Sequence, residues 1–380
     1  MTKICGIVAE YNPFHNGHKY QIEQARKISE AGAIVVVMSG NFVQRGEPAI
    51  INKFARTRQA LENGADVVLE LPVGFATASA EGFAHGAVDI LATSGIVDSI
   101  CFGAESPDIS ALWDVAKFLI NEGPEFKKIL RENLAKGDSF PKAREKALKL
   151  AFAEGAAEIV KNPNNILGVE YLKAILRLDA KITPYAIARK GAAHHGKELV
   201  PPFASASALR GQIHTGNVGG LADFMPLSAY DILRQEYLQS RINNADNLSP
   251  HFHYALAAKK SPCVFDDAAK KHYAISKVVA AAKTKNVTHS ALSRAAIHIL
   301  LGLDEMPKNP QYIRVLGFRR EKEHLLRALH KNAALPVITN AKHAKNALAQ
   351  EIFASKVYWL GLKHKNIPDM NEISTPMVMI

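Results

Sequence analysis

Short apolar runs alternate with segments of helical periodicity through the first half of the chain. Segments with helical spacing include residues 53–63 and 76–95. Around them lie five strand-like runs, at residues 3–8, 33–38, 66–71, 99–103 and 181–187. Strands that are apolar on both faces and separated by helices predict a parallel sheet covered on both sides. Right-handed crossovers then make it a doubly wound, Rossmann-like α/β domain.

The second half of the chain has a different pattern. Beyond about residue 230 the strand-like runs fade and helical stretches dominate, for example at residues 268–283 and 289–301. One short apolar stretch follows at residues 335–339. We therefore expect an α/β domain over residues 1–230 and a mainly α-helical region over residues 231–380.

Seven residues after the first predicted strand, and beyond a predicted turn at residues 9–14, the chain reads His15-Asn16-Gly17-His18. A helix that begins at Gly17 would place both imidazoles in its first turn, on one face. Its free backbone N–H groups and positive dipole end would point at the same spot, which predicts a phosphate site. Gly17 would leave room for a nucleotide against the backbone. The alternative is a pair of histidines that only cap the helix.

The net charge of +11 is concentrated in one segment. Residues 241–345 contain 18 Lys and Arg against 7 Asp and Glu, which accounts for the whole surplus. This distribution is typical of a surface that binds a polyanion such as nucleic acid. The alternative is a solvated, lysine-rich helical surface.

Other compositional features narrow the function further. There are three cysteines and no C-x-x-C pair, so neither a disulfide framework nor a zinc knuckle is expected. No apolar run is long enough to span a bilayer and no signal-peptide pattern is present, so we expect a cytoplasmic protein without a membrane partner. His194-His195 and His251-Phe252-His253 lack suitably spaced partners, so no metal site of protein side chains is expected.

Longer segments carry a family resemblance. The stretch at 205–210, SASALR, together with H-N-G-H, resembles the paired signatures of the HxGH nucleotidyltransferase superfamily. More narrowly, the chain resembles the tRNA-methionine cytidine acetate ligase family. The segments that carry this likeness are 8–18 (VAEYNPFHNGH), 38–48 (MSGNFVQRGEP), 102–105 (FGAE) and 163–168 (PNNILG). The likeness is strong over about residues 3–215 and patchy afterwards, where Ala291 replaces an expected basic residue.

The resemblance implies a nucleotidyltransferase domain over residues 1–230 and a tRNA-binding region after it. It implies a ligase that uses ATP and Mg²⁺ to activate acetate as acetyl-adenylate. The acetyl group would then pass to N4 of the wobble cytidine of elongator tRNA-Met. By the same likeness ATP is held by Ile7, Val8, Ala9, Glu10, Tyr11, Asn12, Pro13, Phe14, His15, Asn16, Gly17, His18, Lys19, Tyr20, Gly103, Asn164 and Arg189.

Adenylation brings two anions together, so catalysis depends on positioning and on stabilising charge. His15 and His18 would donate hydrogen bonds to phosphate, and Arg210 would bind the leaving pyrophosphate. Ser205 and Ser207 would add hydroxyl donors. Arg45, Lys53 and Arg56 are further candidates for binding phosphate or acetate.

Several of these candidates have a plain structural alternative. Lys53 and Arg56 could form a solvated helix face, and Asn164 could be an ordinary helix N-cap. We expect Arg314, Arg319 and Arg320 to contact tRNA phosphates. The alternative for these arginines is pairing with Glu321 and Glu323.

Two other functions compete with the ligase. A small-molecule adenylyltransferase of the same superfamily, making coenzyme or dinucleotide precursors, would share the H-N-G-H site but needs no basic helical half. A non-catalytic RNA-binding protein could keep the nucleotide fold, but it would have no use for His15, His18 and Arg210.

Overall fold

The computed structural model describes residues 2–152, 154–190, 200–259, 261–363 and 371–380. Its strands are β1 (Ile4–Ala9), β2 (Ala33–Ser39), β3 (Phe42–Val43), β4 (Glu47–Pro48), β5 (Val67–Leu71), β6 (Ser99–Ala104), β7 (Thr183–Ala188), β8 (Ile313–Phe318), β9 (Val337–Ile338) and β10 (Val378–Met379). Eight of them form one sheet, in the order β10-β8-β5-β2-β1-β6-β7 with β9 beside β8, while β3 and β4 form a separate hairpin.

Seventeen α-helices are described. They are α1 (Asn16–Ile28), α2 (Lys53–Glu62), α3 (Val73–Ala76), α4 (Ala80–Thr93), α5 (Ile109–Ile120), α6 (Pro124–Ala135), α7 (Phe140–Ala151), α8 (Glu154–Ile159), α9 (Pro163–Arg177), α10 (Ala206–His214), α11 (Leu227–Leu238), α12 (Ser249–Ala258), α13 (Asp266–Ala269), α14 (Ile275–Ala281), α15 (His289–Leu301), α16 (Glu323–Asn332) and α17 (Ala349–Leu360). None of these described helices has the length and apolar character needed to cross a membrane.

The five strands of the first half pair in parallel, as the apolar pattern predicts. Val35 and Val37 pack on one face of the sheet, in a core shared with α4, α5 and α9. Ile34 and Val36 pack on the other face, with residues of α1, α2 and α11. The doubly wound α/β fold is therefore confirmed. Helix α2 ends where expected, since Gly64 follows it in a left-handed conformation with φ of +107°.

The last third of the chain departs from the expectation. Strand β8 lies antiparallel to β5 in the main sheet, and β9 and β10 pair with β8. The expectation that strands end near residue 230 is wrong, and that position does not bound the sheet. A separate helical core does form, from residues of α12 to α15 and α17 such as Phe252, Ile297 and Tyr358.

A cluster of four buried charges joins the two halves of the chain. The Lys53 ammonium on α2 lies 2.6 Å from carboxylate oxygens of both Glu70 and Glu372. The Arg314 guanidinium on β8 pairs with the same two carboxylates. All four side chains are at most 5% exposed. Burial alone would raise the pKa of Glu372, but Lys53 and Arg314 lower it to about 2. We call these four residues the charge cluster.

The charge cluster corrects two expectations. Lys53 lies neither on a solvated helix face nor free to bind phosphate or acetate, because it is 1% exposed and bonded to two carboxylates. Arg314 is 4% exposed and equally committed, so it has no free face for a tRNA phosphate. Both residues hold elements of the fold together.

Removing Arg314 would leave two buried carboxylates with one cation. We expect Arg314→Leu to lower the free energy of unfolding by about 3–5 kcal/mol, the usual effect of breaking a buried ion pair. Urea denaturation followed by circular dichroism would measure it. The matched control is Arg327→Leu, because Arg327 is 75% exposed and 3.9 Å from Glu323. That substitution should change stability by less than about 0.5 kcal/mol. Equal effects of the two substitutions would contradict the role of the cluster.

Candidate active site

A large cavity opens at the carboxyl ends of β1, β6 and β7. Its volume is about 1200 Å³. Residues of α4 to α7, α9, α10 and α15 line its walls, together with the β3–β4 hairpin. Ligands of doubly wound sheets bind at this edge, so we take the cavity as the candidate active site.

His15 and His18 line the cavity and also cap helix α1. The Nδ1 atom of His15 accepts a hydrogen bond from the Gly17 N–H at 3.0 Å. The Nδ1 atom of His18 accepts one from the His15 N–H at 3.2 Å. The two rings stack, with centroids 3.7 Å apart. His15 is thus the N-cap of α1 rather than a residue of its first turn. Both histidines cap the helix, as the alternative interpretation proposed, and both also line the cavity.

This capping arrangement fixes the tautomers of both imidazoles. An Nδ1 atom that accepts a hydrogen bond carries no proton, so the proton of the neutral ring lies on Nε2. Burial, aided by Arg189, lowers the pKa of His15 to about 3. Burial, His15 and Arg189 also hold the pKa of His18 well below its usual value. Each ring is therefore a neutral Nε2–H donor.

Gly17 lines the cavity, and its missing side chain also makes room for an imidazole. A Cβ atom there would lie 2.9 Å from Cε1 of His15, so the missing side chain makes room for the imidazole. The Gly17 N–H is also taken by His15, and is not free for a phosphate. The donors that α1 offers to the cavity are consequently the imidazole rings.

The rest of the stretch 7–20 divides into lining and supporting residues. Ile7, Tyr11 and Phe14 are buried in the core, and the Tyr11 and Phe14 rings contact the His18 ring. Tyr11 holds a left-handed conformation with φ of +50°, unusual for a bulky residue. The lining residues of the stretch are Val8, Ala9, Glu10, His15, Gly17, His18 and Tyr20.

Asn12, Asn16 and Lys19 lie outside the cavity lining. Asn12 accepts a hydrogen bond from the Ile50 N–H at 2.7 Å, and Asn16 donates to the Pro202 carbonyl at 2.9 Å. Lys19 lies in a second groove on the outer side of α1, which Arg26, Lys27 and Arg319 also line.

Arg210 reaches the cavity from α10. Its guanidinium donates to the Asn12 carbonyl at 2.8 Å and pairs with Glu47 at 2.9 Å. Ser205 is the N-cap of α10, as expected, and accepts from the Ala208 N–H. Ser207 and Arg45 also line the cavity, and both are exposed to solvent. Arg210 is thus brought to the same cavity as the two histidines.

The ends of β6 and β7 hold a second polar group. Asn164 donates to the Glu105 carboxylate and accepts from Arg189 at 3.1 Å. Asn162, not Asn164, is the N-cap of α9, so the capping alternative for Asn164 is wrong. Gly103 lies on the cavity wall, where a Cβ would be 3.3 Å from the Arg189 side chain. The sequence identifies Glu105 as part of the family-like segment 102–105 and predicts no such role for it.

Arg56 is a buried residue that supports the fold. The two hypotheses drawn from the sequence, a solvated helix face and a binding site for phosphate or acetate, are both wrong for this residue. It is 0% exposed, so it is neither a solvated residue nor a ligand-binding one. Its guanidinium donates to the backbone carbonyls of Glu10 at 2.6 Å, Ser39 at 3.0 Å and Gly40. It therefore ties the ends of β1 and β2 together directly before the turn that leads from β1 to α1.

Glu10 is a lining carboxylate with a raised pKa. Burial raises the pKa of Glu10, and the Gln44 N–H at 2.8 Å, Arg210 and Arg45 partly oppose that change.

No group of three or more possible metal ligands comes together among the residues described. His194 and His195 lie outside the described residues. His253 stacks on Tyr273, with centroids 5.3 Å apart.

Arg319 and Arg320 are remote from this cavity. Since β8 runs antiparallel to β5, its carboxyl end lies beside the start of β5, where Phe318 pairs with Val67. The two arginines are thus about one strand length, roughly 17 Å, from the edge that carries the histidines. Arg319 pairs with Glu321 at 2.7 Å, which is the alternative that the sequence offered, and Arg320 is exposed. Contact of Arg319 and Arg320 with tRNA stays a prediction.

Comparison with known proteins gives consistent results. The family described as HIGH nucleotidyl transferase matches residues 2–372. A tRNA(Met) cytidine acetate ligase of Halothermothrix orenii is 37% identical, over 94% of each chain. The corresponding protein of a Thermoanaerobacter species is also 37% identical, over 97% of this chain and 98% of its own. Thermotoga maritima TmcAL, solved in a crystal with alpha-thio ATP, superposes with a TM-score of 0.90 at 32% identity, covering 99% of both chains.

The tautomer assignment predicts an unusual titration of His15 and His18. Because their pKa values are lowered, both rings should stay neutral with the proton on Nε2 as pH falls from 8 to 5. An ordinary histidine becomes protonated near pH 6.5. Nitrogen-15 NMR of the ligand-free protein, assigned with His15→Gln and His18→Gln variants, would measure this. Protonation of either ring above pH 6 would contradict the assignment.

Proposed function

Because the chain belongs to the tRNA(Met) cytidine acetate ligase family of HIGH nucleotidyl transferases, we propose that it is an ATP-dependent ligase with two half-reactions. It activates acetate as acetyl-adenylate, then acetylates N4 of the wobble cytidine of elongator tRNA-Met. One observation carries the proposal most directly. His15 and His18 share one cavity with Arg189 and Arg210, at the sheet edge where ligands of doubly wound folds bind.

In the first half-reaction an acetate oxygen attacks the α-phosphorus of ATP and pyrophosphate leaves. His15 and His18 donate Nε2–H bonds to the phosphate oxygens, and Arg210 binds the leaving pyrophosphate. Neutral donors preorganised in a buried site stabilise the growing charge without reorganisation. Gly103, Asn164 and Arg189 form the wall against which the nucleoside lies. Ser205 and Ser207 provide further contacts to the anionic groups.

Mg²⁺ would arrive with the nucleotide, where it would neutralise charge on the β- and γ-phosphates. Glu10 and Glu105 are lining carboxylates at the strand ends and are of the ligand type that Mg²⁺ prefers. Glu105 already orients Asn164, so Glu10 is the better candidate to approach the ion.

In the second half-reaction the cytidine amine attacks the acyl carbon of acetyl-adenylate, and AMP leaves. We expect no acetyl-enzyme intermediate. Cys5 and Cys101 are fully buried in strands, and burial raises the pKa of both thiols. Neither is a thiolate nucleophile. A covalent acetyl adduct on Cys5 or Cys101, detected by mass spectrometry, would contradict this expectation.

The small-molecule adenylyltransferase alternative is not favoured. The likeness to the acetate ligases extends over 94% or more of the chain and thus includes the helical region after residue 230. An enzyme that only joins two small molecules needs no such region.

ATP–pyrophosphate exchange tests the first half-reaction. We expect acetate alone to stimulate the exchange, without tRNA and without a nucleotide co-substrate, because the adenylate forms before tRNA reacts. Formate, propionate and butyrate in parallel reactions would define the acid. If acetate does not stimulate the exchange and a phosphorylated co-substrate is required, the proposed ligase function is contradicted and an adenylyltransferase is favoured.

A pair of variants at residue 18 separates catalysis from capping. We expect His18→Ala to slow acetate-dependent exchange roughly 10²–10³-fold, the usual effect of losing one preorganised donor. His18→Glu keeps an acceptor for the His15 N–H, because glutamate is a natural capping-box residue. It should restore the stability that His18→Ala loses, while its charge repels phosphate and activity stays low. Normal exchange in either variant would contradict the catalytic role.

A further inference from the structure

The cavity is larger than a single nucleotide requires. Pockets that enclose one small ligand measure about 300–1,000 Å³, against about 1200 Å³ here. The strand ends supply His15, His18 and Arg189 to one part of the lining. A second part comes from the β3–β4 hairpin and the first turns of α15, including Arg45, Thr288 and Arg294.

The hairpin and α15 form one continuous wall. Gly46, at the hairpin turn, has φ of +77°, and a Cβ atom there would overlap the backbone of Ser293 and Arg294. Only glycine allows this approach, so the turn rests directly on the helix. Arg45 and Arg294 are consequently carried on touching backbone segments, and both face the same cavity.

These two arginines differ from the other arginines of the cavity. Arg144 pairs with Glu170, Arg177 with Glu81 and Arg210 with Glu47, while Arg189 bonds to Asn164. Arg45 and Arg294 make neither an ion pair nor a hydrogen bond with any residue that the structure describes. Arg294 is partly buried, and burial lowers its pKa. A partly desolvated guanidinium without a partner gains most from an anion.

We propose that Arg45 and Arg294 form a phosphodiester-binding site that holds the RNA backbone beside the reacting nucleotide. This inference rests on the proposed function and adds a site to it. A target base in a single-stranded loop must leave its neighbours to enter a cavity, so a backbone phosphate has to pass the cavity wall. Two arginines carried on touching backbone segments supply the positive charge, and a guanidinium can bind two oxygens of one phosphate.

The experiment compares tRNA binding by wild type and Arg294→Gln at several salt concentrations. We expect the Kd for tRNA to rise roughly 10- to 100-fold, as for loss of a charge-assisted hydrogen bond. The slope of log K against log salt should become shallower by about 0.7, the value for one phosphate contact on a single strand. Arg294→Lys should recover part of the affinity and the full slope.

Two further measurements test whether the effect is specific to Arg294 and to tRNA binding. Arg327→Gln removes an equally charged but exposed side chain of α16, and should leave the Kd for tRNA within about twofold of wild type. The Kd for ATP is measured on every variant. If Arg294→Gln weakens ATP binding as much as tRNA binding, the arginine serves the nucleotide and the inference is overturned. An unchanged tRNA affinity and slope would overturn it as well.

The outcome also separates this inference from the proposed function. If wild type acetylates tRNA but Arg294→Gln binds tRNA normally, the proposed ligase function is supported and the phosphodiester site is contradicted. If wild type transfers no acetyl group, the proposed ligase function is contradicted. In that case a selective, salt-dependent loss of RNA-hairpin binding in Arg294→Gln would still support the phosphodiester site.

Discussion

The charge cluster is the constraint on which the remaining architecture depends. Four charges are removed from water around Lys53, Glu70, Arg314 and Glu372, and each is compensated only while all four are in place. Desolvated charges are tolerated only when paired. The cluster therefore fixes α2 against β5 and β8, and it holds the C-terminal segment on the same sheet. The basic half of the chain cannot be regarded as an appended module.

The turn between β1 and α1 is held in place by this framework. Helix α2 carries Lys53 and, one turn later, Arg56. The Arg56 guanidinium donates hydrogen bonds to backbone carbonyls at the ends of β1 and β2. The chain beyond β1 then turns through Tyr11 and Asn12 into the capping box of His15 and His18. One buried helix face thus links the folding of the sheet to the position of both imidazoles. Capping uses the Nδ1 atom of each histidine, which leaves Nε2 as the ring nitrogen that a ligand in the cavity can use.

The sequence was most informative where the determinants are local. Apolar runs predicted the parallel strands, the helical spacing over residues 53–63 predicted α2, and the H-N-G-H motif predicted a histidine pair at the start of α1. Lys53 and Arg56 were misplaced because charged residues are nearly always exposed, and only distant partners explain their burial. Strand β8 was missed because it contains Arg314 and pairs with β5, about 245 residues earlier in the chain. The partnerless state of Arg294 likewise depends on tertiary structure alone.

The position of Glu372 has a consequence for synthesis on the ribosome. Lys53 emerges early, but its second carboxylate partner follows about 320 residues later. At about 5–20 residues per second this interval is roughly 15–60 seconds. Throughout that time Lys53, and Arg314 once it has been synthesised, can have at most one of its two acids. The first half of the chain therefore cannot reach its final stability as an early, autonomous folding unit, and a prematurely terminated chain would expose unneutralised charge to cellular quality control.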